Sequence, residues 1–250
     1  SSWDIGQDQN GTMYFANSEG LLSYDGHYWN KYEVPNRTML RSLAVGDKSR
    51  IYAGSQDDFG FFAPDSIGKL QFHSLVPLIP LKSKFFNGVW DIVLSGDDVF
   101  FKSAETIFQY DQKELKTYPS AGEWRFLGKH HTRLIAQDSR NGLLVFDNGI
   151  WTPFLRNAVF PSDYSITSIV PMGSDSSLVT TLKNGLFILT KDEIVPFNVK
   201  GDHPFLQERI LSSIPVNKDW FAVGTQTNGC YIIDKNGNIL SNFSRREDLQ

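Results

Sequence analysis

Apolar and polar positions alternate in short blocks along this chain. An apolar strand is followed by a polar turn, a second apolar strand, and then a glycine with two apolar residues behind it. The mark is clearest at Gly20-Leu21-Leu22, Gly60-Phe61-Phe62, Gly142-Leu143-Leu144, Gly185-Leu186-Phe187 and Gly229-Cys230-Tyr231. One further copy, Thr106-Ile107-Phe108, has threonine in the glycine's place. The marks recur roughly every 36 to 46 residues, close to the period of about 40–50 residues of a four-stranded propeller blade.

The second copy shows the reading in full. Leu40 to Val45 is strand A, and Gly46-Asp47-Lys48-Ser49 is a turn of flexible and side-chain-capping residues. Ile51 to Ser55 is strand B, Gln56-Asp57-Asp58 a polar loop, Gly60 to Ala63 strand C and Leu70 to Leu75 strand D. Asp25-Gly26, Asn148-Gly149 and Asn236-Gly237 are tight-hairpin signals at the equivalent C–D turn. No window sustains the i, i+3, i+4, i+7 spacing of a long helix. Short strands separated by turn residues predict an all-β fold.

A single meander cannot bury both of its faces, whereas meanders stacked side by side can. A sandwich requires no forty-residue period, and a β-helix has a much shorter one. The expectation is therefore a β-propeller of four-stranded antiparallel blades, forming one domain over residues 1–250. Six blades are placed at 3–32, 40–75, 89–118, 124–154, 166–197 and 209–243. Ser244 to Gln250 reads as the lead into another. A ring lacking a blade would expose two apolar faces, so the parent ring is expected to have seven blades and to belong to a longer polypeptide.

Aromatic residues are plentiful, with 19 Phe, 9 Tyr and 6 Trp, and they suit packed sheets. Phe15, Phe61, Phe62, Phe101, Phe108, Phe146, Phe187 and Tyr231 fall in strands B or C and are expected between blades. Trp29 and Trp151, on strand D, are likewise expected to pack. The net charge of −4 carries no basic footprint for nucleic acid and no polybasic membrane patch. The single cysteine, Cys230, excludes a disulfide within the chain and is expected to be a small buried hydrophobe. No run of about 20 apolar residues occurs.

The segments Trp3-Asp4-Ile5-Gly6-Gln7-Asp8-Gln9-Asn10-Gly11-Thr12-Met13-Tyr14-Phe15-Ala16-Asn17 and Gly20-Leu21-Leu22-Ser23-Tyr24-Asp25-Gly26 resemble the two-component regulator propeller repeat. Arg50 to Phe61 is similar to the second blade of the extracytoplasmic sensor region of such regulators in Bacteroidetes. The likeness weakens in blades 3 to 5, where the Asp-x-x-Gly turn degrades to Gly96-Asp97-Asp98 and Gly173-Ser174-Asp175-Ser176. The resemblance implies a periplasmic propeller, a further β-domain, one inner-membrane helix and a kinase or DNA-binding output in the parent. It also implies an oligosaccharide ligand, downstream domains of the same chain as partners, and a homodimer in the parent. In a bacterial protein the sequons at Asn10, Asn36 and Asn242 are turn residues.

No catalytic signature accompanies the repeats: there is no H-E-x-x-H, no phosphate-binding glycine loop, no G-x-S-x-G and no paired cysteine. Neither a catalytic residue, nor a metal site, nor a cofactor is expected. The histidines are His27, His73, His130, His131 and His203. His130 and His131, if both lie in a strand, point to opposite faces and cannot chelate one ion. Asp57-Asp58 invites an acid–base reading, but a glycosidase needs carboxylates about 5–9 Å apart across a sugar. Loop solvation and turn capping explain the pair. A carbohydrate-active propeller lyase or glycosidase, or a protein-binding scaffold, stand as the rivals to a ligand sensor.

Strand order places D–A connections and B–C loops at one end of the blades and A–B and C–D turns at the other. The first end has the longer segments, Val76 to Asn87, Arg156 to Ser165 and Lys200 to Gln207. Variable loops on a rigid scaffold are where binding resides. Arg41, Gln56, Asp57, Trp90, Lys102, Trp124, Arg125, Gln137, Arg209 and Gln226 are projected to that end, with Trp3 beside them. Aromatic planes beside Arg, Gln and Asp suit a hydroxylated or acidic carbohydrate.

Overall fold

The computed structural model describes residues 1–35, 37–47, 50–81, 85–155, 160–161, 163–201 and 204–244. The tail 245–250, His203 and the sequon residue Asn36 lie outside them. Among the described residues the chain forms six four-stranded antiparallel sheets, each a meander in sequence order. The helical pieces among those residues include a 3-10 turn at Val76–Leu78 and the short α1 at Pro204–Gln207, both in D–A connections. No helix among them is long and apolar enough to cross a membrane.

Two compact units divide the chain, Ser1–Trp124 and Arg125–Gln250. The first holds blade 1 (β1 Ser2–Gln7, β2 Met13–Asn17, β3 Gly20–Tyr24, β4 Trp29–Tyr32) and blade 2 (β5 Leu40–Val45, β6 Ile51–Ser55, β7 Phe59–Pro64, β8 Leu70–Ser74). Blade 3 follows (β9 Asp91–Ser95, β10 Asp98–Lys102, β11 Thr106–Tyr110, β12 Leu115–Pro119). The second holds blade 4 (β13 Trp124–His130, β14 Arg133–Asp138, β15 Gly142–Asp147, β16 Ile150–Pro153), whose first residue, Trp124, closes the first unit. Blade 5 (β17 Ile166–Pro171, β18 Ser177–Thr181, β19 Leu186–Leu189, β20 Ile194–Phe197) and blade 6 (β21 Ile210–Pro215, β22 Trp220–Thr225, β23 Cys230–Asp234, β24 Ile239–Phe243) complete it. Within the first unit β1 lies against β5 and β5 against β9; within the second β17 lies against β21. Strand A is thus the strand that faces its neighbour's strand A in blades 1, 2 and 3 and in blades 5 and 6.

The recurring glycine has a steric cause. A Cβ on Gly60 would fall against the carbonyl of His73, one on Gly20 against that of Tyr32 and one on Gly229 against that of Phe243. In each case strand C starts where strand D ends, with no room for a side chain between. The recurring aspartate is explained by hydrogen bonds. Asp8 Oδ1 accepts from Asn10 N and Thr12 N, both at 2.9 Å, and Asp25 Oδ1 accepts from His27 N at 2.8 Å and Tyr28 N at 2.7 Å. The backbone N–H groups of Tyr28 and His27 hold the Asp25 carboxyl below its usual range.

Packing runs between successive blades. Blades 1 and 2 share Ala16, Leu21, Leu43, Ile51 and Phe62; blades 2 and 3 share Tyr52, Phe59, Phe101 and Phe108. Blades 4 and 5 share Ile135, Val145, Ile169 and Val179, and blades 5 and 6 share Val170, Leu178, Phe221 and Val223. Residues of the D–A connections close these layers at one end: Leu75 and Ile79 in the first unit, Phe160 and Phe205 in the second.

Phe62, Phe101, Phe108, Phe187 and Tyr231 are buried as expected, while Phe15, Phe61 and Phe146 are half-buried. Trp29 departs from expectation. Its ring stacks on Tyr24 at 4.8 Å and meets Phe15 at 5.3 Å, yet 60% of the residue is exposed. Cys230 is half-buried rather than buried. The two adjacent histidines do not diverge as strand neighbours would. His131 sits beyond β13 with φ of 54°, and this left-handed turn brings its ring edge-on to His130 at 4.6 Å.

Candidate functional site

The first unit carries Arg41, Gln56, Asp57, Trp90, Lys102 and Trp124 of the predicted set. The structure gathers three of them tightly. The pairing of β5 with β6 slips between Leu40 and Ser42, leaving Arg41 as an unpaired bulge residue. A bulge re-aims a side chain, and here the Arg41 guanidinium carbon stands 4.3 Å from the centre of the Trp90 ring. Arg41 Nη2 donates to Gln56 Oε1 at 3.1 Å. Arg41 Nε is buried and has no hydrogen-bond partner. Trp3 occupies the matching bulge of blade 1.

Trp90 is set by the connection that carries it. Gly88 N donates to Gln56 O at 2.7 Å, Val89 N to Ser55 O at 2.8 Å, and Trp90 N to Lys102 O at 2.9 Å. The D–A connection of blade 3 is therefore pinned to the B–C ends of blades 2 and 3. The indole N–H donates to Asn87 O at 3.3 Å, and the residue remains 44% exposed. Asp57 is exposed beside Gln56, whereas Asp58 is buried, accepts from Ser74 Oγ at 2.6 Å and is shifted upward by burial. Asp58 is thus a structural member of its loop, and the Asp57-Asp58 pair does not share one environment.

Lys102 and Trp124 sit at the predicted end but offer little surface. Lys102 is buried, with Nζ 2.9 Å from Asp91 Oδ2. Trp124 is only 3% exposed, and its indole donates to Tyr118 O at 3.0 Å. Trp124, expected at a ligand-facing mouth, therefore offers almost no surface there. Two groups were missed. Asp91 follows Trp90 directly and neutralises Lys102. Asp4 accepts from Leu43 N at 2.9 Å and Ile5 N at 2.8 Å. Burial raises its carboxyl, and the like charge of Asp91 adds to the rise.

The second unit carries Arg125, Gln137, Arg209 and Gln226. Gln137 is fully buried; its Nε2 donates to Tyr164 O and its Oε1 accepts from Ile166 N at 3.0 Å. It fastens the D–A connection to the start of β17 and offers no surface at that end. Arg125 is half-buried. Arg209 and Gln226 are exposed and meet through the backbone, Gln226 N to Arg209 O at 2.9 Å. At the same end a cavity of about 370 Å³ opens between the B–C loop and strand D of blade 5, lined by Tyr164, Asn184, Phe187, Phe197 and Phe205 among others. Tyr164, Asn184 and Phe205 come from the connections and Phe187 and Phe197 from β19 and β20.

The first unit brings three polar and aromatic groups together at one end of its strands. It combines a half-open indole plane, a guanidinium whose charge is met by no carboxylate among the described residues, and an amide. Among the described residues no cluster of three or more His, Cys, Asp or Glu could hold a metal ion.

No protein-family model and no curated protein sequence matches the chain. Its architecture is nonetheless shared with solved structures. The extracellular domain of a B. thetaiotaomicron protein described as a hybrid two-component system superposes with a TM-score of 0.74 at 17% identity, over 98% of this chain and 34% of that one. Virginiamycin B lyase from Staphylococcus aureus superposes with a TM-score of 0.74 at 14% identity, over 99% of this chain and 85% of that one. These likenesses define the chain as a β-propeller. The chain spans about a third of the two-component extracellular domain that it resembles.

Proposed function

We propose that this propeller is a ligand-sensing domain of a periplasmic, membrane-anchored two-component regulator, and that its ligand is an oligosaccharide. The observation that carries the reading is the Arg41–Trp90–Gln56 group at the D–A and B–C end. An indole plane offers a stacking surface to the C–H face of a sugar, and Arg and Gln donors and acceptors read its hydroxyls. The buried Nε–H of Arg41 is an unmet donor, which costs about 1–3 kcal/mol where it stands. A ligand oxygen that drew the guanidinium out of this pose would relieve that cost. The structural likeness to a two-component extracellular domain and the repeat signature in blades 1 and 2 support the same reading. Ligand binding would bias how the domain packs against its downstream partners in the parent, and that differential free energy is the signal.

The test is calorimetric titration of the domain with a panel of neutral and acidic oligosaccharides, together with an assay of chain shortening. Saturable binding without depolymerisation, lost in Trp90→Ala, is the expected result. Depolymerisation would select the lyase or glycosidase reading. No binding by any member of the panel would overturn the sensor reading in favour of a protein-binding scaffold.

A further inference from the structure

At the end of blade 5 lies a cavity that takes no part in the Arg41–Trp90–Gln56 group. It is built wholly from residues of the second unit. The B–C loop of the blade fixes its geometry. Thr181 Oγ1 accepts from Asn184 N at 3.0 Å and donates to Gly185 O at 2.8 Å, and Gly185 turns the chain with φ of 79°. The same loop holds both flanking D–A connections. Leu182 N donates to Ser165 O at 2.8 Å, and Leu182 O accepts from Ile210 N at 3.1 Å. Lys200 N donates to Gly237 O at 2.8 Å, which ties the segment after Phe197 to the C–D turn of blade 6. Backbone hydrogen bonds thus hold the walls in place before any ligand arrives.

The cavity measures about 370 Å³. That lies within the range of about 300–1,000 Å³ of small-molecule sites, and above the roughly 150 Å³ that accepts a benzene ring. Its lining is mainly aromatic. Tyr164 and Phe187 belong to the layer between blades 4 and 5, their ring centres 5.8 Å apart, and Phe197 and Phe205 to the layer between blades 5 and 6. No lining residue among those described carries a charge. The lining does carry hydrogen-bonding groups: the Tyr164 hydroxyl and the side-chain amides of Asn184 and Asn198. None of these groups is hydrogen-bonded to another described residue.

We infer that this cavity is a binding site for a small, neutral aromatic compound that carries a hydroxyl or amide group. Aromatic side chains meet an aryl ring favourably, offset or edge-on. An ion would lose its hydration here without gaining a counter-charge. The free hydroxyl and amides orient the ligand, as the few polar groups of an apolar site do. A carbohydrate fits poorly, because its many hydroxyls outnumber these partners and those left unpaired oppose binding. The site therefore differs in chemistry from the Arg41–Trp90–Gln56 group, and it stands or falls independently of the oligosaccharide reading.

The test titrates β-naphthol, a neutral two-ring aryl alcohol, into the protein and follows it by ligand-observed NMR. The control is β-naphthoate, the same ring system with a charge. β-Naphthol is expected to bind saturably and β-naphthoate at least tenfold more weakly. Tyr164→Phe, which removes only the hydroxyl, should weaken β-naphthol about three- to tenfold. Asn198 is an exposed lining residue, so Asn198→Trp should keep the wild-type melt and abolish binding by filling the cavity. Trp90→Ala should leave β-naphthol binding unchanged. Absence of saturable binding, or equal binding of β-naphthoate, would overturn the inference. So would binding that survives both Tyr164→Phe and Asn198→Trp, or that is lost in Trp90→Ala, because the compound would then sit elsewhere.

Discussion

The guanidinium of Arg41 lies 4.3 Å above the Trp90 ring, and the two come from different blades. Such a pair is worth about 0.5–2 kcal/mol, depending on its exposure. Its importance is positional, because it holds an indole plane and an unpaired cation at one end of the A strands. Trp90→Ala and Arg41→Ala should each weaken oligosaccharide binding by at least about tenfold, equivalent to 1.4 kcal/mol. Both variants should keep a cooperative melt, since neither residue is buried in the layers between blades. Calorimetric binding and a thermal melt on each variant check this. Unchanged affinity in Trp90→Ala would place the recognition surface elsewhere.

Lys102 and Trp124 should behave differently from Trp90. Lys102 is buried against Asp91, whose side chain is 31% exposed, so Lys102→Ala should lower stability by less than the roughly 3–5 kcal/mol of a fully buried pair. Asp91→Asn in the same chain should recover part of the loss. Trp124→Ala should open a cavity and cost about 3–5 kcal/mol. Denaturant titrations of the singles and the Lys102/Asp91 double variant measure both effects. A Trp124→Ala domain of wild-type stability would contradict its burial.

The glycine near the start of strand C in blade 2, Gly60, sets the spacing of the outer strands. Gly60→Ala must push the chain away from the His73 carbonyl, and both backbones are held in the β7–β8 ladder. The expected cost is about 1–3 kcal/mol, as for overpacking elsewhere. Gly26→Ala is the control, because no atom lies within 4 Å of a Cβ there and only its φ of 97° opposes the change. Urea midpoints of the two variants should fall in that order, with Gly60→Ala the lower.

The repeat was legible because its causes are local. Strands Leu40–Val45 and Ile51–Ser55 stand where alternation and turn residues place them, and the aspartates at turns do what their spacing implies. Arg41, Gln56 and Trp90 were legible as an end-of-strand group, but not as a stacked one. Their contact depends on a bulge, and a bulge arises from register against a neighbouring strand rather than from the residue itself. The exposure of Trp29 and the burial of Trp124 were not legible for one shared reason. Both are strand-borne tryptophans, and sequence does not tell whether a neighbouring element covers the strand. The burial of Gln137 was not legible, because one amide partner, Tyr164, lies in a connection with no periodicity and the other, Ile166, is the first residue of β17.

His130 makes stability depend on pH in a direction that its surroundings fix. The ring is buried at the end of β13, its Nδ1 is 2.9 Å from Ser177 Oγ, and burial lowers its pKa from 6.5 to about 4, assisted by His131 and Arg133. The fold therefore holds the neutral ring, while the unfolded chain takes up a proton as pH falls below 6.5. The contribution is fully present above pH 6.5 and is lost on descending to about pH 4. A drop of that size corresponds to about 3 kcal/mol. His130→Gln, which has no proton to gain, should flatten this part of the profile. Between pH 7 and pH 4.5 the wild type should lose about 2–3 kcal/mol more stability than the variant in urea titrations. Carboxylates such as Asp25, whose pKa is lowered, act in both proteins alike and cancel in the comparison. An equally steep decline in His130→Gln would show that the ring is solvated in the folded protein and that its burial does not govern its charge.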